Sequence, residues 1–134
     1  MKKPNPEYVK ANRAWLEAKS KEEGMVSLEK GVFYRVINSG FAVSKQPTLN
    51  SVVSCHYLGR TMDGKCFDTS LGSYPLAIRL RELIEGWIIA LPHMHIGDKW
   101  EIYMPAEVAY GDAKQPGIPG GSALMFEVEL LGVQ

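Results

Sequence analysis

Between Pro6 and Glu23 the segment PEYVKANRAWLEAKSKEE contains no internal glycine or proline. Tyr8, Ala11, Trp15 and Ala18, with Leu16 beside them, recur at helical spacing among charged residues. Asn5 suits the cap, Pro6 the first helical position and Gly24 the C-terminal stop. The spacing predicts one amphipathic helix. Beyond Gly24 the period changes. Val32 to Ile37 (VFYRVI) is β-branched and aromatic, the composition of a strand. The stretch SGFAVSKQPTLN reads as a loop. Ser51 to Thr61 then reads as a strand, Met62-Asp63-Gly64-Lys65 as a tight turn, and CFDTS as the returning strand of a hairpin. LGSYP is a Gly/Pro break.

A short apolar helix is predicted from about Arg81 to Ala90. From Asp98 to Pro105, Trp100, Ile102 and Met104 alternate with Lys99, Glu101 and Tyr103, a half-buried strand. The glycine- and proline-rich segment from Ala106 to Gly121 is a long loop. The closing strand places Leu124, Phe126, Val128 and Leu130 on one face. The fold class expected is α+β: a twisted antiparallel sheet of about five strands over one short helix, preceded by an amphipathic helix. Residues 1–29 are expected to form an N-terminal helical extension and residues 30–134 the main domain.

Composition adds limits. The chain has 134 residues, 46% of them hydrophobic and 22% charged, as in a soluble globular domain. Fifteen Lys and Arg balance fifteen Asp and Glu, so no overall charge draws the chain to nucleic acid or to an anionic membrane. The N-terminal MKKPNPEYVK carries two lysines without an apolar stretch behind them, which points to the cytoplasm; periplasm or cell envelope is the alternative if a signal peptide has been removed.

The familiar catalytic motifs are missing: no GxSxG, no phosphate-binding GxxxxGK[ST], no HExxH. His93, His95 and Asp98 sit in a turn marked by Pro92 and Gly97, with no nearby residue to complete a metal site, so a solvated loop is expected. Cys55 and Cys66 lie on flanking strands, out of register and on opposite faces, and no disulfide is expected. No metal and no cofactor is expected. Tyr57, Phe67, Trp87, Tyr110 and Phe126 come from five different segments, the pattern of an aromatic-walled pocket and equally of an ordinary small-domain core.

Several motifs in consistent order carry a family resemblance. VVSCHYLGRTMDGKCFDTS resembles the first hairpin of FKBP-type peptidyl-prolyl isomerases. LIEGWIIALPHMHIGDKWEIYMPAEVAYG resembles their helix-to-strand core, with I-x-G-W at Ile84 to Trp87. PGIPGGSALMFEVELLGV resembles their loop and last strand. The likeness covers about residues 30–134. It implies an enzyme that isomerises X–Pro bonds in folding polypeptides, and a pocket blocked by macrolide inhibitors of this family.

It also implies the site. Trp87 would form the floor, with Tyr57, Phe67 and Phe126 as walls. Asp68 would bond Tyr57 or act on the rotating carbonyl. Leu83 and Ile84 would approach from the loop before the helix, Ile118 would close over the top, and Leu76 would stand at the rim. The Ile84 N–H and the Tyr110 hydroxyl would hold substrate carbonyls. Leu76 stands near a position where family members often carry an aromatic, and Gln115 at the loop tip where some members have histidine. Bacterial relatives carry helical extensions that dimerise or hold clients. One short helix is marginal for that purpose, so a monomer with its helix packed on its own domain is expected, with a dimer through that helix as the alternative. The rival function is a module that holds proline-containing segments without turnover.

Overall fold

The computed structural model describes residues 3–134. Met1 and Lys2, part of the segment from which the cytoplasmic reading is drawn, lie outside the described residues. Helix α1 (Pro6–Ser20) begins as its sequence dictates: Asn5 Oδ1 accepts the N–H groups of Glu7 (2.8 Å) and Tyr8, and Pro6 stands at the first position. Its end differs from expectation. The C-cap is Lys21, and Gly24 turns the chain three residues later at φ +85°. The buried stripe also differs. Ala11 and Ala18 are exposed, and the inward face runs through Tyr8, Val9, Asn12, Trp15 and Leu16, with the polar Asn12 the most buried of all at 2% exposed.

Seven strands form one antiparallel sheet: β1 (Val26–Ser27), β2 (Phe33–Asn38), β3 (Val52–Thr61), β4 (Cys66–Thr69), β5 (Leu76–Arg79), β6 (Lys99–Met104) and β7 (Leu124–Val133), in the order β1-β2-β6-β7-β3-β4. β1 and β5 extend the expected set. The first half of β3 pairs with β5 (Cys55↔Leu76) and its second half with β4 (Gly59↔Asp68), so both partners share one edge of β3. The β3–β4 turn closes at Asp63-Gly64, with Gly64 at φ +85°. Cys55 is buried and Cys66 exposed; both are free.

The concave face buries Val53, Cys55, Trp100, Ile102, Met104, Leu124, Phe126, Val128 and Leu130. Helix α2 (Glu85–Ala90) fills it with Trp87 and Ala90. It is shorter than the pattern suggested: Leu80–Glu82 make a 3-10 turn, and Leu83 and Ile84 are extended before the first helical turn. A side chain at Gly86 would place its Cβ 2.3 Å from Met104 Sδ, so with the Met104 side chain as it lies the glycine makes room for α2 against β6. On the opposite face Tyr103, expected among solvated residues, is 3% exposed. It stacks on Phe33 at 5.0 Å and meets Trp15 of α1 at 5.7 Å, so α1 lies against the outer face of this chain's sheet.

The His93–Asp98 turn, expected to be solvated, is organised by a buried carboxylate. Asp98 is 7% exposed; its Oδ1 accepts the Gly40 N–H at 2.6 Å and its Oδ2 the His95 N–H at 2.8 Å.

Candidate functional site

β3 alternates its side chains between the two faces, and the inward set includes Tyr57 and Gly59; β4 brings Phe67, β7 Phe126 and α2 Trp87 to the same place. Trp87, 3% exposed, meets the edge of Tyr57 at 5.6 Å (81°) and of Phe126 at 5.3 Å (82°). Phe126 meets Phe67 at 5.5 Å (87°). The four rings form one edge-to-face chain, the arrangement their quadrupoles favour. Trp87 and Phe126 are buried, while Tyr57 and Phe67 beside them are half-buried.

The rings of Phe67 and Phe126 lie close over β3 because position 59 is glycine. A Cβ there would come within 2.5 Å of Phe67 Cζ and 2.8 Å of Phe126 Cε1. Sequence reading missed Gly59; its only signal is a glycine inside a strand, which marks close approach.

The polar edge rests on one bond: the Tyr57 hydroxyl donates to Asp68 Oδ2 at 2.7 Å. Burial, then Asp68 and Tyr110, push the Tyr57 hydroxyl up to about 12. Burial, then Asp68, also raise the Tyr110 hydroxyl, which links all three groups electrostatically. The backbone of Tyr57 is clasped as well. Its N–H donates to Ser70 Oγ at 2.8 Å, and its carbonyl accepts Thr69 Oγ1 at 2.9 Å. Neither Thr69 nor Ser70 was singled out in the sequence, where small hydroxyl residues after a strand look like ordinary turn formers.

Of the remaining expected residues, Ile118 is 4% exposed within the same core, and the loop touches β4, since a Cβ on Gly117 would lie 3.2 Å from Phe67 Cβ. Leu76, Leu83, Ile84 and Tyr110 are half-buried and pack against that core. Ile84 is extended (φ −62°, ψ 154°), and its N–H makes no hydrogen bond with the described residues. Leu76 pairs with Cys55 across the β3–β5 ladder. Gln115 lies in the loop, its N–H bonded to the Ile118 carbonyl at 3.0 Å. Among the described residues no cluster of three His, Cys, Asp or Glu is arranged to hold a metal ion. A separate groove of about 430 Å³ runs between α1 and β2, with Leu16, Leu28, Val32, Phe33 and Pro105 beneath Arg13 and Glu17. It does not include Trp87.

Alkali should loosen the fold. Burial pushes the Cys55 thiol from 9.0 to about 12, and the Tyr57 and Tyr103 hydroxyls rise from 10.0 to about 12. Each protonated group binds its proton more tightly folded than unfolded. Its contribution is therefore complete below the unfolded value and lost as pH climbs through the folded one. Urea midpoints should stay flat from neutrality to about pH 9 and fall between about pH 9 and 12. A flat midpoint across that window would contradict the burial of these groups.

A family model described as FKBP-type peptidyl-prolyl cis-trans isomerase matches residues 43–131. Peptidyl-prolyl cis-trans isomerase Mip of Coxiella burnetii is 39% identical over 125 residues, covering 92% of this chain and 54% of that protein. Outer membrane protein MIP of Legionella longbeachae is 32% identical over 123 residues, covering 90% of this chain and 52% of that one. The chain spans about half the length of the curated relatives it matches. The crystal structure of a peptidyl-prolyl cis-trans isomerase from Pseudomonas syringae superposes at a TM-score of 0.90 with 32% identity, covering all of this chain and 98% of that one. With two thirds of its length matched by the family model and its whole length superposing on that isomerase, the chain belongs to the FKBP-type peptidyl-prolyl cis-trans isomerase family.

Proposed function

We propose that this chain catalyses cis–trans isomerisation of X–Pro bonds in folding polypeptides, at the pocket floored by Trp87. The observation that carries the proposal is the chain of four edge-to-face rings, closed at its edge by the Tyr57–Asp68 bond. Rotation about the peptide C–N bond meets a barrier of roughly 18–20 kcal/mol because amide resonance is lost on the way. At the top of the barrier the amide is twisted, its carbonyl oxygen carries less charge and its nitrogen is more amine-like. Water stabilises the planar, more polar amide better than the twisted one. An apolar wall of rings reverses that preference, which is differential binding of the transition state.

No bond is made or broken, so the pathway calls for no nucleophile and no proton transfer. In this mechanism Trp87 carries the proline ring, with Tyr57, Phe67 and Phe126 around it. The free Ile84 N–H and the Tyr110 hydroxyl hold the flanking carbonyls. Asp68 orients Tyr57 and keeps a negative edge beside the rotating carbonyl. Leu76, Leu83 and Ile118 form the rim that contacts neighbouring substrate residues.

Residues 30–134 are proposed as the catalytic unit and residues 1–29 as an added helical segment of a monomer. The envelope is the compartment favoured here. The cytoplasmic expectation finds no support among the relatives, whereas one of them is named an outer membrane protein. Proline-containing folding clients are the proposed partners, and macrolides of the FKBP class the proposed inhibitors.

A protease-coupled assay on Xaa-Pro tetrapeptides with Leu or Phe before proline tests this. Acceleration that a macrolide abolishes is expected. Macrolide binding without acceleration would replace catalysis by holding, and neither effect would leave a family fold without the family's activity.

A further inference from the structure

We infer that helix α1 braces the loop from Tyr110 to Gly121, and that Tyr8 and Asn12 act as positioning residues for Ile118 and Tyr110; this rests on the isomerase reading of the pocket. Asn12 is the starting point. A side chain amide at 2% exposure on a surface helix is costly unless both of its ends are bonded. Its Nδ2 donates to the Tyr8 carbonyl at 2.8 Å inside the helix. Its Oδ1 reaches across and accepts the Ala123 N–H at 2.9 Å, at the exit of the loop.

One turn earlier, Tyr8 makes a second link. Ser122 Oγ donates to the Pro119 carbonyl at 2.6 Å, and a hydroxyl has one proton, so the 2.8 Å contact between Tyr8 and Ser122 has Tyr8 as donor. The backbone just before these links is pressed against α1 and the residue leading into it. Gly121 has φ +79°, and a Cβ there would lie 2.7 Å from Val9 Cγ2 and 3.2 Å from Pro4 Cβ.

These contacts reach the pocket through the loop's own bonds. The Gly121 N–H donates to the Gly111 carbonyl at 2.8 Å, tying the root next to Tyr110 to the root held by α1. Gln115 and Ile118 exchange N–H···O bonds of 3.0 and 2.9 Å, which sets Ile118 inward. The sheet is covered separately, by Trp15 against Tyr103, so Tyr8 and Asn12 are not needed for that. A loop held before substrate arrives loses less freedom on binding. Loosening it should weaken binding while leaving the rate of the bound complex alone.

The test uses the full chain with Tyr8→Phe, Asn12→Ala and, as a control, Trp15→Ala, in the tetrapeptide assay and by amide exchange at Ile118. Losing one such hydrogen bond corresponds to about a fivefold change in an equilibrium. Expected in Tyr8→Phe and Asn12→Ala are a KM about fivefold higher, a kcat within about twofold, and faster exchange at Ile118. Trp15→Ala should lower Tm and leave KM unchanged. Three results overturn the brace: unchanged KM and exchange in both test variants, a fall in kcat alone, or an equal KM rise in Trp15→Ala. If the unaltered chain shows no turnover, the isomerase reading has failed, and exchange at Ile118 alone decides whether α1 braces the loop.

Discussion

Gly59→Ala should cost this protein most of the isomerase activity proposed for it while leaving it folded. The added methyl would stand 2.5 Å from Phe67 Cζ and 2.8 Å from Phe126 Cε1. Two rings that now meet at 5.5 Å would have to part. Position 59 lies two residues from the end of β3, paired with Phe126 on β7 and Asp68 on β4, so a backbone shift there would disturb the ladders on both sides. Overpacking of this kind costs about 1–3 kcal/mol, which a domain of this size survives with a Tm several degrees lower. The wall of the pocket absorbs the displacement, and kcat/KM should fall about tenfold or more, since each 1.36 kcal/mol of lost transition-state stabilisation is tenfold. Trimming one displaced ring separates the two effects: Gly59→Ala with Phe67→Leu should recover Tm and not activity. Recovery of both would mean that Phe67 is packing and not pocket wall.

Much of the fold was legible in the chain because local chemistry and tertiary packing agree. Asp63-Gly64 between alternating segments marks the hairpin, Asn5-Pro6 marks the helix start, and Leu124 to Leu130 at every second position mark a strand with one face buried. What escaped depends on partners distant in sequence. Tyr103 reads as solvated until α1, nearly ninety positions earlier, is laid over it. Asn12 reads as polar surface, and only the Ala123 N–H on the far side of the domain makes it an inward residue. Leu76–Arg79 follow a Gly/Pro break and become a strand by pairing with the first half of β3, which already carries β7 on its other edge. Asp98 looks like a turn acid, and its burial comes from the approach of Gly40, whose Cβ would collide with the Ile96 carbonyl at 2.1 Å.

The site divides in the same way. Five aromatic residues in five segments suggest a pocket without saying which rings touch. The family motifs supply an order for them, and the packing joins Tyr57, Phe67, Trp87 and Phe126. The hydroxyl clasp of Thr69 and Ser70 on the Tyr57 backbone and the space left by Gly59 are properties of strand register, which no single segment reveals.

The central claim is that catalysis comes from the ring floor, and Trp87→Leu tests it most directly. The substitution leaves an apolar side chain in a site 3% exposed, so the fold should persist at a cost of about 2–3 kcal/mol. It removes two edge-to-face contacts, with Tyr57 and with Phe126, each worth about 0.5–1.5 kcal/mol. Measured in the tetrapeptide assay on protein shown to be folded by its near-UV spectrum and melting curve, kcat/KM should drop about tenfold or more. A folded Trp87→Leu protein that isomerises the peptides as fast as the unaltered chain would contradict the account, because the rings would then line a core and the activity would have to reside elsewhere.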